Sequence, residues 1–200
     1  MRGTGREREG AMTRIIQFIL ILGIANIFGQ FVPAQEVQKQ ADSTQRARWV
    51  ADKLVGTWRL VSVETTRPNG EVIYPFYGKH PQGLLMYDRS GWMSVEIVSD
   101  PSPTVPTAAS REEFLKAAPS EKEKAIDGFY AYYGTWSLDA TGNSVTHHIQ
   151  QSLYPAERGE VGVRRLVLEG NRLVLTAKTH EMGEDHERKL VWEHIVSDKH

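Results

Sequence analysis

No cysteine occurs among the 200 residues. Disulfides and paired-cysteine zinc sites are thereby excluded, and stability must come from packing alone. An excess of charge is missing too: 24 Lys and Arg stand against 25 Asp and Glu, a formal net charge of −1. With no long basic block either, nothing in the chain calls for a nucleic-acid partner. No Ser nucleophile elbow, phosphate loop or dinucleotide fingerprint is found, so no standard catalytic motif guides the reading. What is present is a globular composition, 40% hydrophobic with five tryptophans. The length suits one domain with one sizeable core once any targeting segment is set aside.

The N-terminus differs from the rest. "MTRIIQFILILGIANIFGQFVPAQE" places Arg14 before an apolar run from Phe18 to Ala25, then Val32-Pro33-Ala34. That order predicts a secretory signal peptide cleaved after Ala34, hence an exported protein, periplasmic or secreted. Met12 is the more natural start than Met1, because "MRGTGREREGA" is charged and patternless. An uncleaved anchor is the alternative, although Gln17, Asn26 and Gln30 would sit poorly in hydrocarbon. Once the signal is removed, no transmembrane segment is expected. The division is therefore 1–34 as extension and signal, 35–53 as linker or short helix, and 54–197 as the folded domain.

From Leu54 the text is strand-like. "TWRLVSVETT" ends at "RPNG", whose Asn-Gly is a tight-turn signal; "EVIYPF" follows, with Pro75 marking an end or an edge. "GLLMYD", "WMSVEIVS", "FYAYYGTWSLD", "SVTHHIQQSLY", "VGVRRLVLE", "RLVLTAKTH" and "RKLVWEHIV" continue the series, most of them joined by Gly or Asn turns. Short strands at this spacing predict an antiparallel all-β meander, a sandwich or a barrel. "EMGEDHE" reads as a charged, solvated hairpin loop; the His and carboxylates in and beside it, His180 to His186, have a metal-like composition that solvation explains more simply. The proline-rich "SDPSPTVPTAA" cannot be a central strand. Beyond it, Ser110 with Glu113 and Ser120 with Glu123 predict two capping boxes and two short helices, either a lid over an open barrel end or a connector.

Gly-Thr-Trp is spelled twice, in "LVGTWRLVS" and "YAYYGTW". Gly permits close backbone approach at a strand entry, and Trp two residues on can plug a barrel end. "GTWRLVS", "YPFYG", "GLLMY", "SGWMSV", "FYAYYGTW", "VTHHI", Tyr154-Pro155 and "LVWE" together resemble a bacterial and fungal lipocalin-like domain family, from Leu54 to about Val196. More distantly the opening strand is similar to fatty-acid-binding proteins. The resemblance implies an up-and-down lipocalin-like β-barrel with the helical pair inserted mid-chain, holding a small apolar or aromatic ligand and no cofactor. Fatty-acid binding does not carry over: that family's Arg-x-Tyr is missing from "KLVWEHIV", and its helices come after the first strand.

Alternation selects the inward side chains. Tyr130, Tyr132, Trp136 and Leu138 share one face; Leu85 with Tyr87, Met93 with Val95 and Ile97, Leu173 with Leu175 and Ala177, and Leu190 with Trp192 form others. A cavity or a filled core would both satisfy this pattern. His147 and His148 are strand neighbours and point opposite ways, so they cannot share one metal ion. His147 belongs to the apolar face of Val145 and Ile149, as a ligand contact, a general base, or a structural histidine bonded to a Tyr. Arg164 and Arg165 likewise diverge, and an inward Arg needs an anion: a ligand carboxylate, or a protein partner such as Glu96 or Glu193. The expected ligand contacts are Trp58, Tyr87, Met93, Tyr132, Trp136, His147 and Arg164, with no metal site. The expected function is binding of a small hydrophobic molecule inside the barrel. The alternatives are an isomerase, cyclase or dehydratase using His147 with Tyr132 or Tyr87, and a filled structural envelope protein.

Overall fold

Alternation of buried and exposed side chains builds most of the chain. The computed structural model describes residues 33–103 and 108–196, and all but the last two residues of the expected extension and signal peptide (1–34) lie outside them. The elements run α1 (Ala34–Leu54), β1 (Gly56–Thr66), β2 (Val72–Ile73), β3 (Gln82–Tyr87), β4 (Trp92–Val98), α2 (Arg111–Lys116), α3 (Pro119–Asp127), β5 (Phe129–Leu138) and β6 (Ser144–Ser152). A 3-10 turn at Pro155–Glu157 leads to β7 (Val161–Glu169), β8 (Arg172–Glu181) and β9 (Glu184–His194). Every pairing is antiparallel between sheet neighbours, and β1 also pairs with β9 from Trp58↔His194 to Thr66↔Glu187. That last ladder closes eight strands into an up-and-down barrel and leaves them without a free edge.

Closure requires an irregularity in β1. Its buried positions are Trp58 and Leu60, then Val63 and Thr65, so the phase slips by one residue. The slip coincides with a register shift between Leu60 and Ser62 against β9. An extra residue there re-aims the second half of the strand, so both halves keep their apolar side chains inward.

The segment expected to be a linker or short helix is the 21-residue α1. Its C-terminal turns place Val50 and Leu54 in the core, 1% and 0% exposed. The Leu54 carbonyl accepts from Trp58 Nε1 at 2.8 Å. Arg46 bonds Asn143 at 3.1 Å and Asp52 pairs with Arg89 at 3.0 Å, so α1 lies across the loops of one barrel end. That end is shut by α1 together with Trp58. Each helix of the mid-chain pair, by contrast, has no buried residue.

Several local expectations change. The first capping box forms, with Ser110 accepting from the Glu113 amide at 3.2 Å, although the Glu113 carboxylate takes the Ala109 amide at 2.6 Å. The second does not: α3 starts at Pro119 with Ala118 as its cap, because Pro at the first helical position has its φ preset and no amide to satisfy. "EVIYPF" gives a strand of only two residues, since Pro75 cannot donate to a ladder and the chain leaves the sheet there. "EMGEDHE" is no loop: β8 and β9 run on to a two-residue turn at Met182-Gly183, φ 55° and 81°. His186 is consequently buried, 3% exposed, with Nε2 at 3.2 Å from Glu184. The second Gly-Thr-Trp also does not start a strand, for β5 begins at Phe129. Gly134 instead sits at a register shift beside Tyr133, where a Cβ would come within 2.0 Å of the His148 carbonyl. Both Trp residues nevertheless lie at the α1 end, Trp58 at the start of β1 and Trp136 near the end of β5.

Candidate functional site

Behind the plugged end the interior is hollow. A cavity of about 250 Å³ opens at the opposite end, so the interior is not packed solid. Its walls are aliphatic: Leu85 on β3, Val95 and Ile97 on β4, Leu175 on β8 and Leu190 on β9. Its mouth carries Tyr77, Tyr130, Tyr154, Glu157 and the Arg188–Glu181 pair. For scale, an engineered apolar cavity of roughly 150 Å³ holds benzene. A guest larger than one ring fits here.

The inner part of the cavity is polar. His147 on β6 is 1% exposed, and both its ring nitrogens are engaged: Nε2 with the Tyr87 hydroxyl at 2.6 Å, Nδ1 with the Tyr132 hydroxyl at 2.8 Å. Three strands supply the three groups. Burial holds the His147 pKa well below its usual value, and the positive charge of Arg164 adds to that. Burial raises the pKa of Tyr87 and of Tyr132 as well. The relay is therefore neutral at physiological pH, with one imidazole N–H and two phenols.

Neutrality fixes its proton order. Tyr87 does not line the cavity, and its hydroxyl has no other partner among the described residues. A buried hydroxyl proton without an acceptor costs about 1–3 kcal/mol, so Tyr87 donates to Nε2. Nδ1–H then donates to the Tyr132 oxygen. The Tyr132 hydroxyl proton is left for the cavity.

Arg164 on β7 points inward beside this relay, its guanidinium 6.0 Å from the Tyr132 ring centre. One of its nitrogens donates to the Gly162 carbonyl at 2.8 Å, and it forms no ion pair among the described residues. The protein partners anticipated for it are elsewhere: Glu193 pairs with Arg59 at 2.5 Å, and Glu96 lines a separate surface depression with Arg59 and Gln82. His148 faces out, bonded to Ser137 at 3.2 Å.

Of the seven expected contact residues, Tyr132, His147 and Arg164 line the cavity, and Tyr87 supports it through His147. Trp58, Met93 and Trp136 do not line it. Trp58 and Met93 are buried core, and the Trp136 indole donates to the Asp88 carbonyl at 3.0 Å near α1. Cavity residues beyond those seven include Tyr77, Tyr130, Tyr154, Glu157, Arg188 and Trp192. Arg188 shares the face of Leu190 and Trp192, so extending that alternation by one step would have found it. Glu157 sits on the 3-10 turn, where no periodic pattern exists; it accepts from Tyr130 at 3.0 Å and Ser152 at 2.5 Å. Two cavity-lining side chains have polar atoms with no protein partner, the Trp192 indole N–H and the Thr179 hydroxyl. Among the described residues there is no cluster of three metal-ligating side chains, and no helix is long and apolar enough to cross a membrane.

Comparison with known proteins agrees with the barrel: a family described as a lipocalin-like domain matches residues 55–195. No curated protein matches the chain.

Proposed function

The chain belongs to the lipocalin-like domain family, and from that membership we propose that it is an exported protein binding a small hydrophobic molecule inside the barrel. The observation carrying this reading is the 250 Å³ space with aliphatic walls, plugged at the α1 end and open at the other. A folded core ordinarily leaves few voids larger than a water molecule, and a solid interior would have been the more stable arrangement. Export is supported by the order of basic residue, apolar run and small residues ahead of Gln35. Titration with small apolar alcohols, followed by methyl NMR of Leu85, Val95, Ile97, Leu175 and Leu190, tests the reading. Saturable shifts confined to these methyls, and lost in Ala177→Trp, which fills the cavity from β8, are expected. Saturable shifts that persist in that variant, or none in the wild type, would overturn it.

A catalytic reading, of isomerase, cyclase or dehydratase type, has one observation of its own. Tyr132 presents its hydroxyl proton to the cavity while His147 and Arg164 stand ready to stabilise the phenolate left behind. His147 is not the base in this scheme, because both its nitrogens are occupied. Tyr132→Phe should then abolish turnover of a substrate without abolishing its binding; unchanged turnover removes Tyr132 from the chemistry.

A further inference from the structure

The polar groups facing the cavity are unequally committed. At the mouth, the Arg188 guanidinium is held by both oxygens of Glu181 and by Thr65 at 3.3 Å, with the Phe76 ring 5.7 Å away. Glu157 is held by Tyr130 and Ser152. Arg164 differs. An arginine carries five N–H groups, and one of these has a protein acceptor among the described residues, the carbonyl of Gly162. The guanidinium folds back over that glycine, where a Cβ would lie 2.3 Å from its Nη1. The missing side chain at position 162 is thus the cradle in which Arg164 rests.

Leaving a half-buried guanidinium without a counter-charge is costly, and the cost is recovered when an anion arrives. The relay supplies a second donor at the same place, the Tyr132 hydroxyl proton freed by Tyr87 and His147. We propose that the inner end of the cavity is a carboxylate subsite, and that the natural guest is a small carboxylic acid of monocyclic-aromatic or short-chain size. This rests on the ligand-binding reading above and specifies its ligand class. One oxygen of the carboxylate takes Arg164 and the other takes Tyr132. A single cation matches a single negative charge, whereas a phosphate dianion would remain undercompensated. At the mouth Arg188 is already neutralised by Glu181, and Asp127 and Glu157 leave that end net negative, so the guest enters with its acid end inward and its apolar body against Leu85, Ile97 and Leu175. The volume excludes a long fatty chain folded into the barrel, in keeping with the missing Arg-x-Tyr on β9.

Matched pairs of probes test this by calorimetry at neutral pH: 3-phenylpropanoate against 3-phenylpropan-1-ol, and octanoate against octan-1-ol. Wild type should bind each acid at least tenfold more tightly than its alcohol. Arg164→Met should erase that preference while alcohol affinity is retained, Arg164→Lys should keep part of it, and Tyr132→Phe should reduce it. Carboxyl-labelled 3-phenylpropanoate gives a readout independent of variants, because the bound acid should remain ionised at lower pH than the free acid. Alcohols that bind the wild type as tightly as the acids, or a bound acid titrating like the free one, would overturn the carboxylate subsite while leaving the carrier reading intact. Binding of neither member of a pair would overturn both.

Discussion

Tyr87→Phe and Tyr132→Phe each remove one hydroxyl from the same relay, and each leaves its ring in place to pack. The losses should be unequal. Tyr87 is 1% exposed and its oxygen meets His147 Nε2 at 2.6 Å in dry surroundings. Without it one ring nitrogen of His147 is orphaned whichever tautomer forms, at a cost of about 1–3 kcal/mol. Tyr132 stands between His147 Nδ1 and the cavity, so water can replace its oxygen and the loss should be about 1 kcal/mol or less. Urea unfolding of wild type and the two variants by linear extrapolation resolves such a difference. The same proton order has a spectroscopic signature, since nitrogen-15 NMR of the His147 ring should report the neutral Nδ1–H tautomer. Equal destabilisation by the two substitutions, or an Nε2–H tautomer in the wild type, would refute the assignment and with it the donor placed at the cavity.

Two further outcomes follow from the fold. Leu54→Ala should cost about 2–5 kcal/mol in thermal or urea unfolding, because Leu54 is fully buried beneath Trp58; a surface-like loss below about 0.5 kcal/mol would mean that α1 does not plug the barrel. Stability should also fall on acidification through the range just below pH ~6.5, the pKa of an unfolded histidine. The depressed pKa of His147 in the fold means that the unfolded chain binds the extra proton first. Its contribution is therefore complete above that range and is lost as pH falls towards the folded value. His147→Gln should flatten this slope, and an unchanged slope would assign it to another group.

The barrel was legible because period-two alternation is strong in Met93-Val95-Ile97, in Val145-His147-Ile149 and in Leu173-Leu175. Turn residues such as those of "RPNG" marked where strands reverse. Alternation specifies which face of the sheet a side chain takes, but not its depth along the barrel axis. Trp58, Met93 and Trp136 are inward by that rule, yet strand register sets them towards the α1 end, away from the hollow. Depth is fixed by pairings such as Trp58↔Leu85 and Tyr132↔Val95, which join residues far apart in sequence. The role of α1 was hidden for a related reason: just two of its residues, Val50 and Leu54, enter the core, too few to mark a helix face. A cavity leaves no local trace either, since it consists of volume that no side chain fills. His147 and Arg164 were visible as inward polar residues on apolar faces, but their surroundings came from four separate strands.

Native mass spectrometry of the protein purified from its own cells tests most directly whether the barrel interior is a binding site. A discrete added mass of small-molecule size, released on gentle activation and missing from Ala177→Trp, is expected. Spectra of the bare chain alone from repeated preparations, or an adduct that persists when the cavity is filled, would contradict it.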